Sequence, residues 1–228
     1  NELVWSWTST DYRIGITSPH FQTRQSNHLS VTQPLLADLE LDGTPELVLT
    51  VVDSTTDDPH ILSIPLGSSS PTENWDVTLD RGTHPSDPAW AQLDGQNSVV
   101  VATTIDENSG NMWVWRLDGS TGSNDWGRVS LSGTDTDSDA PRLRLPSPVV
   151  AQLDSDAAPE MILTVPTDAN GRTVGLGARF IGMELTSTEE LFSFRTINGY
   201  ADAPPLPIDL DMDGVDDRLC WTTWYSAS

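Results

Sequence analysis

One pattern is spelled four times along this chain: an apolar run led by proline, an acidic or amide-rich loop, then a second apolar run. The copies read PLLADLELDGTPELVLT from Pro34, PAWAQLDGQNSVVVAT from Pro88, PVVAQLDSDAAPEMILT from Pro148 and PLPIDLDMDGVDDRLCW from Pro205. Their first loop residues, Asp38, Gln92, Gln152 and Asp209, follow one another at 54, 60 and 57 residues. A period of that size filled with strand-like segments restricts the fold to a linear or radial array of β units, because one such unit cannot bury its own apolar faces.

Within the first copy four strands are predicted: Pro34 to Leu39, Glu46 to Val52, His60 to Leu66 and Trp75 to Leu79. Clusters of Gly, Pro, Ser and Asp separate them, as in an antiparallel meander. The second copy repeats the order over Ala89–Leu93, Ser98–Thr104, Asn111–Leu117 and Trp126–Leu131, and the third over Val149–Leu153, Glu160–Val165, Gly177–Leu185 and Leu191–Ile197. The fourth offers Leu206–Leu210 and Arg218–Trp224 only, the expectation for a unit cut mid-way. The expected fold is therefore all-β, a β-propeller or propeller fragment of four-stranded antiparallel blades. Blades are expected over 34–87, 88–147 and 148–204, with a further blade starting at 205–228. Residues 1–33 would hold the end of a preceding blade, Leu3 to Thr8, plus a polar insertion from Ser9 to Ser30 in which Ile14 and Ile16 form a stray strand. Polar insertions at Thr134–Arg144 and Thr167–Val174 would decorate a rim, where repeat proteins bind partners. No segment sustains helical periodicity, and Thr186 to Phe194 reads as a turn plus strand.

The loops carry the chemistry. Calcium takes six to eight hard oxygens, and alternating acids on a tight loop supply them because every second side chain turns inward. The fourth loop has Asp209, Asp211 and Asp213 at places one, three and five, Gly214 at the sharp turn and Asp217 at place nine. The first has Asp38, Glu40, Asp42, Gly43 and Glu46 at the same places, and the backbone carbonyls of Thr44 and Val215 at place seven could complete each shell. Place twelve falls on Leu49 and Cys220 inside strands, so neither loop is an EF-hand. The third loop keeps oxygens at Gln152, Asp154, Asp156 and Glu160, but Ala157 replaces the glycine and one formal charge is lost, which predicts weaker binding. The second, Gln92-Leu93-Asp94-Gly95, is two residues shorter and lacks the spaced acids; it is expected to bind nothing. Asp is also a turn former, but two full sets in register with a repeat are hard to obtain from composition alone.

These residues resemble the calcium-binding β-propeller repeats of the FG-GAP and VCBS type, as in integrin α-subunit heads and microbial surface proteins. The resemblance rests on DLELDGTPELVL and DLDMDGVDDRLC, and the period extends it over nearly the whole chain. It implies a metal loop between the first and second strands of a blade. The literal Phe-Gly and Gly-Ala-Pro signatures are absent. WRLDGSTGSNDW, from Trp115 to Trp126, is similar to the docking turns of quinoprotein propellers, with Trp75 and Phe192 in the equivalent place of the other units. Such an aromatic clamps neighbouring blades by apolar burial.

Charge narrows the partners. Against 34 Asp and Glu stand 11 basic residues, all Arg, for a net charge of -23. That surface repels a phosphate backbone, so nucleic acid is not an expected partner, while cations are. Lys-free acidity also resembles the proteins of salt-adapted organisms. The single Cys220 allows no internal disulfide and reads as a core residue of its apolar run. No apolar stretch is long enough to span a membrane. His20, His28, His60 and His84 lack zinc spacing and read as loop or edge residues. No G-x-S-x-G elbow occurs, and GLGARFIG from Gly175 departs from the dinucleotide fingerprint. The nine tryptophans fall largely in predicted strands and read as packing residues rather than a sugar-stacking platform. The expected function is a non-catalytic, calcium-stabilised interaction module of a secreted or cell-surface protein, gripping a protein or glycan through rim loops. The alternative is the scaffold of a propeller enzyme: a polysaccharide lyase, a glycosidase or a quinoprotein dehydrogenase.

Overall fold

A computed structural model describes residues 5–7, 14–16, 28–30, 33–53, 56, 58–66, 73–82, 84–93, 98–106, 111–124, 128–131, 145–156, 158–166, 178–195 and 203–221. The described residues are all-β, with no helix among them. Most of the Ser9–Ser30 stretch, the insertions at 134–144 and 167–174, Trp126 and the loop over 94–97 lie outside them.

The first sheet contains β3 (His28–Ser30), β4 (Leu35–Ala37), β5 (Glu46–Asp53), β6 (Pro59–Pro65) and β7 (Trp75–Thr78), all antiparallel. The second contains β8 (His84–Pro85), β9 (Ala89–Gln92), β10 (Ser98–Asp106), β11 (Asn111–Asp118) and β12 (Arg128–Leu131). The third is the meander β13 (Val149–Ala151), β14 (Glu160–Pro166), β15 (Ala178–Glu184) and β16 (Glu190–Arg195). β17 (Leu206–Ile208) pairs with β18 (Arg218–Cys220). At the front, β1 (Trp5–Trp7) pairs with β2 (Ile14–Ile16), so the segment expected to end a preceding blade is joined to the stray strand that follows it.

Two short strands were not expected. β3 and β4 both line β5, opposite its far and near halves, and β8 and β9 line β10 in the same way. Each first strand is thus broken in two around Pro34 or Pro88, where proline has no N–H to give the ladder.

The second strands read as continuous apolar runs because both their faces are covered. Val99 and Val101 of β10, with Met112 and Val114 of β11, pack on Met161, Leu163, Val165, Ile181 and Met183 of the third sheet. Their alternates Val100, Ala102, Trp115 and Leu117 pack on Val48, Ile61, Trp75 and Leu79 of the first. Phe180 and Phe194 carry the stack onward to Trp221, with ring centroids at 5.4 and 5.1 Å. Successive sheets therefore share cores face to face.

Trp75 supplies the expected clamp between two sheets. Its indole N–H donates to the Gly119 carbonyl of the second sheet at 2.8 Å, and its ring lies so close to Gly122 that a Cβ there would come within 2.8 Å of it. Gly122 has φ of 70°, in a turn held by Asp118, whose carboxylate accepts the N–H and hydroxyl of both Ser120 and Thr121. Burial works against the charge of Asp118, but those four hydrogen bonds hold its pKa below the ordinary 3.8.

Phe192 lies across the strand pair from Gly182, where a Cβ would come within 2.2 Å of its ring, so it fills a glycine notch in its own sheet. Cys220 is exposed rather than core, because β18 has only β17 as a partner in its two-stranded sheet. His60 belongs to the interior strand β6, not an edge, and its Nδ1 lies 2.8 Å from Asp76.

Gly122→Ala should lower stability by about 2–3 kcal/mol, through both positive φ and collision with Trp75. Gly43→Ala, where φ is 89° but no atom lies within 4 Å, should cost only about 1 kcal/mol. Urea unfolding of the two variants checks the difference.

Candidate metal centre

Three strand-to-strand loops, 38–46, 152–160 and 209–217, close with the same two hydrogen bonds. The ninth-place carboxylate accepts the second-place N–H: Glu46 from Leu39 at 2.7 Å, Glu160 from Leu153 at 2.5 Å and Asp217 from Leu210 at 3.0 Å. The fifth-place carboxylate accepts the seventh-place N–H: Asp42 from Thr44 at 2.8 Å, Asp156 from Ala158 at 2.8 Å and Asp213 from Val215 at 2.9 Å.

The first and fourth loops match further. Asp38 accepts from Asp42 and Gly43, and Asp209 from Met212 and Gly214. Place four has positive φ in both, 56° at Leu41 and 62° at Met212, and so does place six, 89° at Gly43 and 94° at Gly214. Holding a side-chain-bearing residue in that region costs on the order of 1 kcal/mol, a cost that the carboxylate–amide bonds offset. The sequence spacing works because this tight double reversal brings alternate side chains to one side.

Asp209, Asp211 and Asp213 do converge: their carboxylate oxygens lie within 4.8 Å of one another, a group that could hold a metal ion. A second such group comes from Asp154, Asp156 and Glu184. Asp38, Glu40 and Asp42 do not draw together as tightly, and Glu40 takes a long 3.4 Å hydrogen bond from the Asn74 amide. Gln152, expected to offer an oxygen, instead turns its side-chain nitrogen to the carbonyls of Asp154 (3.0 Å) and Asp156 (2.7 Å). Asp217 is exposed while Glu46 and Glu160 are buried, because Ile208 pairs with Arg218 and leaves Asp217 just ahead of its strand.

Glu184 escaped the sequence reading. It sits at the end of β15, directly opposite Glu160 in the β14–β15 pairing, 24 residues further along the chain. The signal was the third strand's register: an acid at its last position faces the ninth-place acid of the loop.

These acids crowd one another. Burial, then the charges of Asp154, Glu184 and Asp156, push the Glu160 carboxyl above its ordinary pKa of 4.5, against the pull of the Leu153 N–H. Burial likewise raises Glu184, helped by Asp156, Asp154 and Glu189, and raises Glu46, helped by Glu40, Asp38 and Asp42. Glu160 is fully buried, and its Oε1 has no hydrogen-bond partner among the described residues. An orphaned, buried carboxylate oxygen beside three more carboxylates fits a hard divalent cation: oxygen donors only, several negative charges and a desolvated wall.

The sites are joined to neighbouring sheets. Ser98 Oγ donates to the Leu39 carbonyl at 2.5 Å, Arg116 Nη1 to the Leu185 carbonyl at 2.6 Å, and Asp216 exchanges two backbone-centred bonds with Gln152. Comparison of the chain with protein-family models and with curated protein sequences gives no match.

Because the folded state raises the Glu160 pKa, it binds that proton more tightly than the unfolded chain does. The group's contribution is then most favourable below 4.5 and is lost as pH rises through the folded value. In chelator-treated protein, Glu160→Gln should therefore be more stable than wild type at pH 7, and the gap should close as pH falls toward 4.5. Thermal melts at both pH values measure it.

Proposed function

We propose that the chain is a calcium-stabilised β-propeller module without catalytic chemistry of its own, working outside the cell or at its surface as a binding platform for a protein or glycan. The observation that carries this reading is the recurrence of one acid-closed loop between the first and second strands in three of the four repeated units, two of them beside carboxylate groups that could hold a metal ion.

A radial arrangement has a second support. The residues just before Pro34, Pro88 and Pro148 are equivalent in the repeat, and they meet on one side chain: Asp87 accepts the Gln33 N–H at 2.7 Å and the Ser147 hydroxyl at 3.3 Å. Equivalent positions of three consecutive units approach one another in this way near an axis, as the first strands of propeller blades do. Calcium is favoured over magnesium because loops built from irregular oxygen sets suit its larger, less directional shell. Its role here is structural: it neutralises clustered carboxylates and so holds the corners of adjacent sheets. Extracellular calcium is sufficient for sites of about 10⁻⁴–10⁻³ M affinity.

With calcium tenfold above its dissociation constant, each occupied site should add about 1.4 kcal/mol, or roughly 3–6 °C in melting temperature at about 2–4 °C per kcal/mol. Asp211→Ala should lose the share of the Asp209 loop. A melting temperature that ignores calcium in the intact protein contradicts the reading.

A further inference from the structure

The third loop is the poorest of the three by sequence, since its first acid is Gln152 and its turn glycine is Ala157. The structure nevertheless gathers three acids there, as it does at the 209–217 loop. Gln152 serves as a brace, its amide nitrogen spanning the Asp154 and Asp156 carbonyls, and thereby fixes the backbone that carries both aspartates. The missing acid comes from another element. Glu184, on β15, brings a carboxylate oxygen within 4.8 Å of those of Asp154 and Asp156. Opposite it in the ladder stands Glu160, which spends Oε2 on the Leu153 N–H and leaves Oε1 buried with no hydrogen-bond partner among the described residues.

We infer that Asp154, Asp156, Glu160 and Glu184 form a composite divalent-cation site, in which the ion ties the 152–160 loop to the third strand of its own sheet. This deepens the calcium reading and rests on it in one respect, the choice of ion. Each site has three converging carboxylates and the ninth-place acid of its loop, but Glu160 is fully buried where Asp217 is exposed, so this site should be the tightest in the chain, since affinity in oxygen-ligand sites follows ligand charge and rigidity. It also lies where two sheets join: Gln152 bonds through its backbone N–H and carbonyl to Asp216, within the 209–217 loop. Occupancy of the composite site should therefore steady the neighbouring loop as well.

The alternative explanation is an acidic cluster that merely tolerates its charge, and a matched pair of variants separates the two. Glu184→Gln removes the proposed ligand with almost no change in shape. Glu189→Gln removes a charge that also acts on Glu184, from an exposed turn residue outside the group. Calcium is titrated into the full, chelator-treated chain by calorimetry, with wild type and Asp211→Ala alongside, and circular dichroism checks that each variant is folded. The expected result is that Glu184→Gln loses the tightest calcium equivalent or weakens it by roughly tenfold or more, while Glu189→Gln keeps it and Asp211→Ala loses a different, weaker one. Equal titrations for Glu184→Gln and Glu189→Gln would overturn the composite site, whereas loss in Asp211→Ala would still uphold the general calcium reading. Loss in Glu184→Gln with no effect of Asp211→Ala would uphold the composite site and discard the Asp209 loop.

Discussion

A carboxylate folding back from the ninth place of a loop onto the N–H at its second place is the interaction on which the rest of this architecture depends. Glu46, Glu160 and Asp217 all make it. It closes the connection between the first two strands of a sheet, after which Ala37 pairs with Glu46 and Ala151 with Glu160, while Ile208 pairs with Arg218, one place further on. In two of the three cases it also draws a glutamate out of water: Glu46 is 3% exposed and Glu160 is 0%. A buried carboxylate with other acids beside it is electrostatically costly unless a cation shares the site. The same bond that shapes the loop therefore gathers negative charge that a proton or a cation would relieve.

From that closure the structure propagates sideways. The closed loops stand where neighbouring sheets touch, through Ser98 on the Leu39 carbonyl and Asp216 on Gln152. Away from these junctions, the cores are continuous from sheet to sheet because strands such as β10 present valines to both faces. Trp75 seals one junction by lying over a glycine turn of the next sheet. An ion in such a corner would act on two layers at once, raising rigidity where short polar contacts alone hold the junction. Acidity of the whole chain, a net -23, concentrates cations near these corners without specifying any of them.

Much of this was legible in the residues. The repeat located nearly every strand, since turn-bounded apolar runs of five to nine residues leave little choice of structure, and Asp209, Asp211 and Asp213 were readable because alternation along a loop is a local property. What the sequence hid was register and company. β3 and β8 were missed because two- and three-residue strands carry no period, and Pro34 and Pro88 mask their continuity with β4 and β9. Glu184 was missed because its partner in the group is set by strand pairing across 24 residues rather than by spacing. Gln152 was read as an oxygen donor, yet an amide presents either end, and the two carbonyls beside it select the nitrogen. Phe192 shares a sequence position with Trp75, but the Gly182 notch that its ring fills is set by strand pairing and was not readable from spacing.

The account stands or falls on ions sitting in these corners. Anomalous scattering from crystals of the chain soaked in millimolar calcium tests that most directly. Density peaks about 2.3–2.6 Å from carboxylate oxygens of Asp209, Asp211 and Asp213, and of Asp154, Asp156, Glu160 and Glu184, are the predicted result. Maps that show both groups of acids ordered as here, with no scatterer between them, would contradict it.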